Sequence, residues 1–305
     1  MDWFLPILAA TFRLTTPIAF ATLGAVVMER AGINALPMEG IMLAGSFGAV
    51  IGSWLTSNAW VGVLFAVFFA VVVALIRSYL CISHQANQTV SGIGINILVS
   101  GFTAMMLKII WNMDGKSEIV TSLKDWTIPG LSQLPQVGEL LGHQNPLVIL
   151  MLPMVVLVWY VMEKTPFGLR ATTAGEHPEV LSSLGLSVAR YRYLATVFGA
   201  ALAGLGGAYL SIGQLSFFTQ DMTSGRGFMA LAACVFGCWS PIGAFVGALL
   251  FGFADALQMR LQTSVQYTQF IQMIPYVMTL LVLGGLVKKT SAPPAASGVP
   301  YQEQQ

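Results

Sequence analysis

The chain has 305 residues, of which 56% are hydrophobic and only 9% are charged; its formal net charge is +1 and its mean hydropathy is +0.75. A soluble globular domain has roughly a quarter of its residues charged. Because so few charged side chains cannot cover a water-facing surface, we predict a membrane-integral protein. The sequence has no run of basic residues, so we expect no nucleic acid polymer as a partner.

Charge-poor stretches long enough for a transmembrane helix of about twenty residues recur along the chain. They predict an all-α, polytopic membrane protein with about eight or nine transmembrane helices. The first and the seventh of nine crossings are short, so one of these two is expected to be re-entrant, with irregular backbone buried in protein. The predicted crossings are 15–28, 38–55, 59–78, 89–110, 145–162, 190–213, 226–239, 241–261 and 270–287.

These crossings form a single transmembrane domain, residues 1–288, which is interrupted by a polar loop at residues 164–189. Residues 289–305 form a tail rich in Pro, Ala and Ser, which is expected to be disordered. Lys and Arg are slightly more frequent in the short loops on the side of the polar loop. That bias predicts an external N-terminus, a cytoplasmic polar loop and a cytoplasmic C-terminus.

Two stretches of the sequence share a pattern, EGIMLAGSFGAVIGSW from Glu39 and RGFMALAACVFGCWSP from Arg226. Each begins with a charged residue, Gly, an apolar residue and Met, and continues with small residues that permit close helix approach. In the predicted topology they run in opposite directions, so we expect an inverted-topology repeat of crossings one to four and six to nine. The alternative is that membrane helices rich in small residues resemble one another by composition.

The sequence has no recognisable catalytic, metal-binding or phosphate-binding motif: it has neither His-Glu-x-x-His nor Gly-x-Ser-x-Gly. We therefore expect no enzyme activity, no cofactor and no metal. Carboxylate, His and Arg side chains are sparse within the predicted crossings. Such a protein either moves a neutral solute or takes its energy from another protein.

The polar loop contains a short predicted helix, EVLSSL, between Pro178 and Gly185. Proline suits the first turn of a helix, and glycine suits the left-handed residue after its end. Val180, Leu181 and Leu184 are spaced to share one face. That face could dock into a groove on another protein or lie on this protein's own bundle, and the periodicity does not decide between the two.

The stretch GLRATTAGEHPEVLSSLGLSVARYRYLATVFGAALAGLGGAYLS resembles the cytoplasmic loop and following helix of ABC importer permeases for branched-chain amino acids, simple sugars and nucleosides. The family's Ala-Gly-Glu-x-Pro coupling segment reads AGEHP here, with His177 where Asn is usual. ERAGINALPMEGIMLAG resembles the family's Glu-Arg-x-Gly…Glu-Gly-Met-Met-Leu segment, although it departs at INALP. NQTVSGIGIN from Asn87, and the stretch from Met222 to Gln262, are similar to the nucleoside branch in particular.

The resemblance implies a permease subunit of a bacterial ABC importer in the cytoplasmic (inner) membrane, surrounded by lipid. It also implies a second permease subunit, separate ABC ATPase subunits and an extracytoplasmic substrate-binding lipoprotein. A nucleoside is the expected cargo. The alternatives are a simple sugar, a stand-alone carrier or channel, and a non-transporting scaffold. The residues assigned to ATPase coupling are Gly175, Glu176, Pro178, Val180, Leu181, Leu184 and Gly185.

The substrate pathway is predicted at the two similar helix starts, where freed backbone groups could face a polar solute. An amide at Asn96 could donate and accept hydrogen bonds, and an aromatic pair could stack on a flat base. The alternatives are interfacial anchoring for the aromatic residues and helix packing for the glycines. The candidate pathway residues are Glu39, Met42, Asn96, Phe217, Phe218 and Met229.

Overall fold

The computed structural model describes residues 4–127, 143–262, 273, 277, 292–299 and 301. Two short π-helical stretches, Tyr79–Ser83 and Tyr209–Leu215, directly follow the helices Ala59–Ser78 and Val188–Ala208. Trp126–Thr127 (β1) and His143–Gln144 (β2) form a short antiparallel ladder. The helices of the described residues are α1 (Phe4–Arg30), α2 (Met38–Thr56), α3 (Ala59–Ser78), α4 (Gln88–Trp111), α5 (Pro146–Lys164), α6 (Pro166–Glu176), α7 (Pro178–Ser183), α8 (Val188–Ala208), α9 (Arg226–Phe236) and α10 (Pro241–Gln262).

Seven of the described helices are long and apolar enough to cross a membrane, namely α1, α2, α3, α4, α5, α8 and α10. With the shorter apolar helix α9 they confirm the all-α, polytopic fold class. The ninth predicted crossing, 270–287, falls outside the described residues apart from positions 273 and 277. The inverted repeat, whose second half includes that crossing, therefore stays a prediction.

Of the two crossings that the sequence predicts to be short, only the seventh is short. Helix α1 has 27 residues, because Arg13 lies exposed on its surface and donates to the Gln144 side chain over 3.2 Å instead of ending the helix. Helix α9 has 11 residues, about 16 Å, which is roughly half the thickness of a bilayer core. The predicted start of the first crossing at residue 15 is therefore wrong.

Asparagine side chains mark the starts of three long helices. Asn58 accepts from the Trp60 amide before α3, and Asn87 accepts from the amides of Thr89 and Val90 before α4. Asn145 plays the same role before α5, where Pro146 occupies the first turn. An N-cap side chain accepts from amides that have no partner within the helix, so these asparagines favour helix starts at these positions.

Close glycine contacts join α1, α2 and α8 into the centre of the bundle. Gly24 of α1 lies directly against the Gly199 carbonyl of α8. A Cβ on Gly45 of α2 would lie 2.8 Å from the Gly204 Cα of α8, which is closer than real Cβ contacts come. Small residues at such crossings let backbones approach and pack by dispersion, the main attraction available between helices in lipid.

The two ends of the bundle differ in what they carry. At one end, here called the loop face, residues 115–123 pair with residues 212–220, for example through the Ser117 amide and the Phe218 carbonyl over 2.9 Å. The other end, here called the coupling face, carries α6 and α7, which follow α5. There Arg30 Nη2 lies 4.0 Å from Glu163 Oε1. Residues 292–299 of the tail also make hydrogen bonds at the coupling face, so the expectation of a disordered tail is wrong for them.

Candidate translocation site and coupling surface

Helices α2 and α9 both begin inside the bundle, after non-helical segments. Residues 31–37 lead from α1 to α2, and residues 216–225 lead from the end of the π-helical stretch to α9. Each segment is hydrogen-bonded to a side chain in the interior of α4: the Leu36 carbonyl accepts from Asn96, and the Asp221 carboxylate accepts from Ser100. Because Ser100 lies near the midpoint of α4, α9 begins near mid-depth of the bundle. Irregular backbone at this depth is tolerated where protein or a cavity surrounds it.

Glu39, in the first turn of α2, joins the two helix starts. Its carboxylate oxygens accept from the Gly225 amide over 2.8 Å and from the Gly227 amide over 2.7 Å. Both donors belong to the start of α9, where amides lack helical partners and the helix dipole is positive. The carboxylate is thus a side-chain cap supplied by another helix, and the two predicted repeat starts, at Glu39 and Arg226, meet at this bond pair.

Asn96 holds the start of α2 from the side of α4. Its Oδ1 accepts from the Gly40 amide over 2.8 Å, and its Nδ2 donates to the Leu36 carbonyl over 3.1 Å. Both amide functions of the side chain are therefore used on backbone groups that the break before α2 leaves without helical partners. This contact gives Asn96 a positioning role in addition to the predicted pathway role.

The bend before α2 is held by two further side chains near the coupling face. Glu29, at the end of α1, accepts from the Ala35 amide over 2.7 Å. Gln88, at the start of α4, accepts from the Asn34 amide over 2.8 Å. The Asn34 side chain accepts from the Leu36 amide over 3.0 Å in an Asx turn. The INALP stretch, which departs from the family pattern, thus contains a residue that stabilises its own turn.

The other predicted pathway residues differ in how far they are buried. Phe218 is 0% exposed and packs edge-on against Phe47, with ring centroids 5.3 Å apart. Met42 is likewise fully buried, whereas Phe217 and Met229 are half-buried. In this conformation the Phe218 ring face is covered by this chain's own side chains, so any stacking surface must come from Phe217 or from another conformation. The pathway assignment as a whole stays a prediction.

Asp221 is a candidate pathway residue that the sequence analysis missed. It is exposed on this chain, and its carboxylate accepts from Ser100 Oγ over 2.6 Å near the midpoint of α4. A carboxylate at mid-depth facing lipid would be costly, so ionisable groups there usually face a protein partner or a water-filled cavity. The sequence signal was an Asp five residues before the short crossing; its importance becomes apparent only because that crossing is about half as long as a transmembrane helix.

The coupling residues lie on α6, α7 and the turn after them. Pro178 occupies the first turn of α7, and Gly185 ends the turn with φ +72°, as the sequence predicts. Leu181 is 1% exposed and packs in the cluster of Ala174 and Val188. The predicted common face of Val180, Leu181 and Leu184 is therefore wrong, because α7 lies on its own bundle through Leu181.

The remaining coupling residues divide between an outward and an inward set. Val180 is 51% exposed and Leu184 is 70% exposed, so both are free on the surface of the coupling face. Gly175 packs directly on the Arg30 carbonyl, where a Cβ has no room. Glu176 accepts from the Ala295 amide over 3.2 Å. Gly175 thus contacts the end of α1 and Glu176 the C-terminal segment, whereas Val180 and Leu184 stay exposed; the coupling assignment stays a prediction.

Relatives of known type match almost the whole chain. The guanosine ABC transporter permease protein NupQ of Bacillus subtilis is 35% identical, covering 97% of this chain and 96% of the relative. The nucleoside ABC transporter permease protein NupC of Lactococcus lactis is 32% identical over the same shares. The putative glucose ABC transporter permease protein TsgC13 of Haloferax volcanii is 33% identical, covering 94% of this chain and 93% of the relative.

A solved structure with a similar fold is described as PsaBC from Streptococcus pneumoniae in complex with Fab, with a TM-score of 0.53 and 16% identity over 92% of this chain and 91% of that one. The family model described as the permease component of the branched-chain amino acid transport system matches residues 7–283. The predicted resemblance is confirmed, and these relatives are transporter permeases and not enzymes. The chain is an integral membrane protein that belongs to this family of ABC transporter permease components.

Proposed function

We propose that this chain is one permease subunit of an ATP-driven importer that carries a nucleoside across the bacterial cytoplasmic membrane. The observation that carries the proposal is the match to guanosine and nucleoside permeases over 97% of the chain. The sparse ionisable groups in the long helices fit a neutral cargo and an energy source in another subunit. A simple sugar is the second candidate, because the putative glucose permease is 33% identical over a similar share.

The pathway is proposed to run along the face of α4 that carries Ser100, where Asp221 is bonded, between this chain and a second permease subunit. Asp221 supports this placement, since an exposed carboxylate near mid-depth requires water or protein against it. Glu39 and Asn96 would line the same region only where their hydrogen bonds to backbone leave them accessible. An extracytoplasmic substrate-binding lipoprotein would deliver the cargo at the loop face.

The coupling face is proposed to be cytoplasmic and to bind the ABC ATPase, which places the N-terminus outside and the C-terminus inside. The orientation follows from the Lys and Arg bias and from the need for an ATPase to reach α7. Cysteines placed at the exposed positions Ser183 and Glu118, with the native cysteines replaced, should label from opposite sides of the membrane. Labelling of both from one side would contradict the orientation.

Transport in cells tests the cargo. Deletion of the gene should abolish uptake of labelled guanosine, and restoring it should recover uptake that unlabelled nucleosides suppress and glucose does not. A mutation that stops ATP hydrolysis in the ATPase subunit should abolish uptake as well. Uptake that survives this mutation would indicate a stand-alone carrier, suppression by glucose alone would indicate a sugar permease, and unchanged uptake after deletion would indicate a scaffold.

A matched pair of leucines tests the docking surface. Leu184→Asp should leave the protein inserted and stable but release the ATPase subunit, because a carboxylate placed in an apolar groove costs several kcal/mol. Leu181→Asp should instead lower the thermal stability of the permease itself, since Leu181 is buried against this chain. Co-purification of the ATPase and thermal unfolding in detergent distinguish the two. Normal ATPase retention by Leu184→Asp would contradict docking at this face.

A further inference from the structure

A segment near the end of the chain, residues 292–299 and 301, is called the strap here; it lies across the coupling face and forms a turn at residues 295–298. Its Ala296 amide donates to the Gly175 carbonyl over 2.8 Å, and its Ala295 amide donates to Glu176 Oε2 over 3.2 Å. Both acceptors lie at the end of α6, in the stretch that resembles the coupling segment. One side of the strap is therefore attached to the coupling helices.

The other side of the strap is attached to the bend that leads into α2. Ser297 Oγ donates to Glu29 Oε2 over 3.1 Å, while the second oxygen of Glu29 accepts from the Ala35 amide over 2.7 Å. The Gly298 amide points to the Gly32 carbonyl at 3.3 Å. One buried carboxylate thus holds both the strap and the backbone that precedes the broken helix.

Arg192 of α8 fastens the strap from the membrane side. This buried guanidinium donates to the Val299 carbonyl over 3.1 Å and approaches the carbonyls of Ala296 and Ala174 at 3.5 Å each. Tyr301 packs on the apolar cluster beneath α7. Charge-assisted bonds from a buried side chain fix geometry more strongly than neutral surface contacts do.

The strap leaves the outward side of the coupling helices open. Its contacts are with the inward groups of α6, whereas Val180 and Leu184 remain exposed. An autoinhibitory segment would cover the surface that the ATPase needs, and this one does not. Its position, between α6 and the bend before α2, is instead that of a brace that connects these two elements.

We propose that the strap is a positioning element that transmits movement of the coupling helices to the start of α2, and through Glu39 to the start of α9. The contacts run from Gly175 through Ala296 and Ser297 to Glu29 and then to the Ala35 backbone. The proposal predicts a measurable response at the start of α9, the far end of this chain of contacts. It rests on the proposed ATP-driven function.

The experiment uses the full complex with its ATPase and sister permease, and two truncations of this chain. One ends after Ser291 and lacks the strap, and the matched control ends after Tyr301 and lacks only residues 302–305. Ser297→Ala is a milder variant that removes the hydroxyl bonded to Glu29. The reporter is Ser224→Cys, exposed beside the start of α9, in a version whose native cysteines are replaced by alanine. Its maleimide labelling rate is compared with and without a non-hydrolysable ATP analogue.

The control truncation should retain a nucleotide-dependent change in labelling rate of about threefold or more. Removal of the strap should abolish that change, and Ser297→Ala should reduce it, with the ATPase subunit still bound in both. An unaltered change after removal of the strap would overturn the proposal, as would loss of the ATPase subunit in both variants, which would mean that the strap serves assembly. Labelling needs no cargo, so failure of nucleoside uptake by the wild-type complex would refute the proposed cargo separately.

Discussion

The starts of α2 and α9 both have backbone groups without helical partners, and different numbers of side chains bind them. The break before α2 is held by Glu29, Gln88 and Asn96, each bonded to a different backbone group. The start of α9 is held by the two bonds from Glu39, and Asp221, five residues before it, is bonded to Ser100. Because one side chain accepts from both the Gly225 and Gly227 amides, its loss frees two donors at once, whereas the loss of one anchor before α2 leaves the others in place. We therefore expect the α9 start to be the more sensitive element and the one through which gating acts.

Replacement of Glu39 should have the largest effect. In Glu39→Ala the amides of Gly225 and Gly227 lose a charged acceptor, and leaving such donors unpaired costs about 2–3 kcal/mol. Uptake of guanosine should fall at least tenfold, and the complex should unfold at a lower temperature in detergent. Glu39→Gln should be intermediate, because its side chain offers one acceptor and one competing donor.

The control for this prediction is Glu118→Ala, since Glu118 is an exposed glutamate on the loop face. It should match the wild type in both uptake and thermal unfolding. If Glu39→Ala behaves like this control, the carboxylate is not what holds the start of α9, and the asymmetry between the two helix starts disappears.

Replacement of Asn96 should have a smaller effect, because the bend before α2 keeps its other anchors. Asn96→Leu removes the partners of the Gly40 amide and the Leu36 carbonyl, a loss of about 1–2 kcal/mol. Asn96→Asp keeps an acceptor for Gly40 but no donor for Leu36, so it should retain part of the stability. Thermal unfolding measures both variants. A loss for Asn96→Leu larger than that for Glu39→Ala would reverse the proposed order.

The smallest effect is expected at Asn34. Asn34→Ala removes the Asx-turn bond to the Leu36 amide, while the Asn34 backbone amide stays bonded to Gln88. Turn and cap substitutions of this kind cost about 0.5–1 kcal/mol. Uptake should stay within about twofold of the wild type in the same assay. An uptake loss as large as that of Glu39→Ala would show that the bend, and not the α9 start, limits transport.

The long helices could be predicted from sequence because hydropathy accumulates over about twenty residues and depends little on neighbours. The length of α1 could not, since Arg13 interrupts the apolar stretch but lies on the helix surface. The buried side of α7 was also missed. A helix of six residues has too little periodicity, and its orientation depends on Ala174 and Val188 from the flanking helices.

The tail shows a different limit of the sequence. Its Pro, Ala and Ser composition favours disorder. Its order comes from acceptors and donors elsewhere in the chain, such as Gly175, Glu29 and Arg192, which composition cannot locate. Asp221 was missed for a related reason, because its depth becomes apparent only from its bond to Ser100.

ATP-driven transport by the purified complex tests the central claim most directly. The complex of this chain with its sister permease and ATPase is reconstituted into vesicles loaded with ATP, and labelled guanosine is supplied outside with the substrate-binding protein. We predict accumulation of guanosine that requires hydrolysable ATP and is lost when this chain carries Glu39→Ala. Equal guanosine entry with and without ATP, or ATP-driven accumulation of glucose but of no nucleoside, would contradict the account.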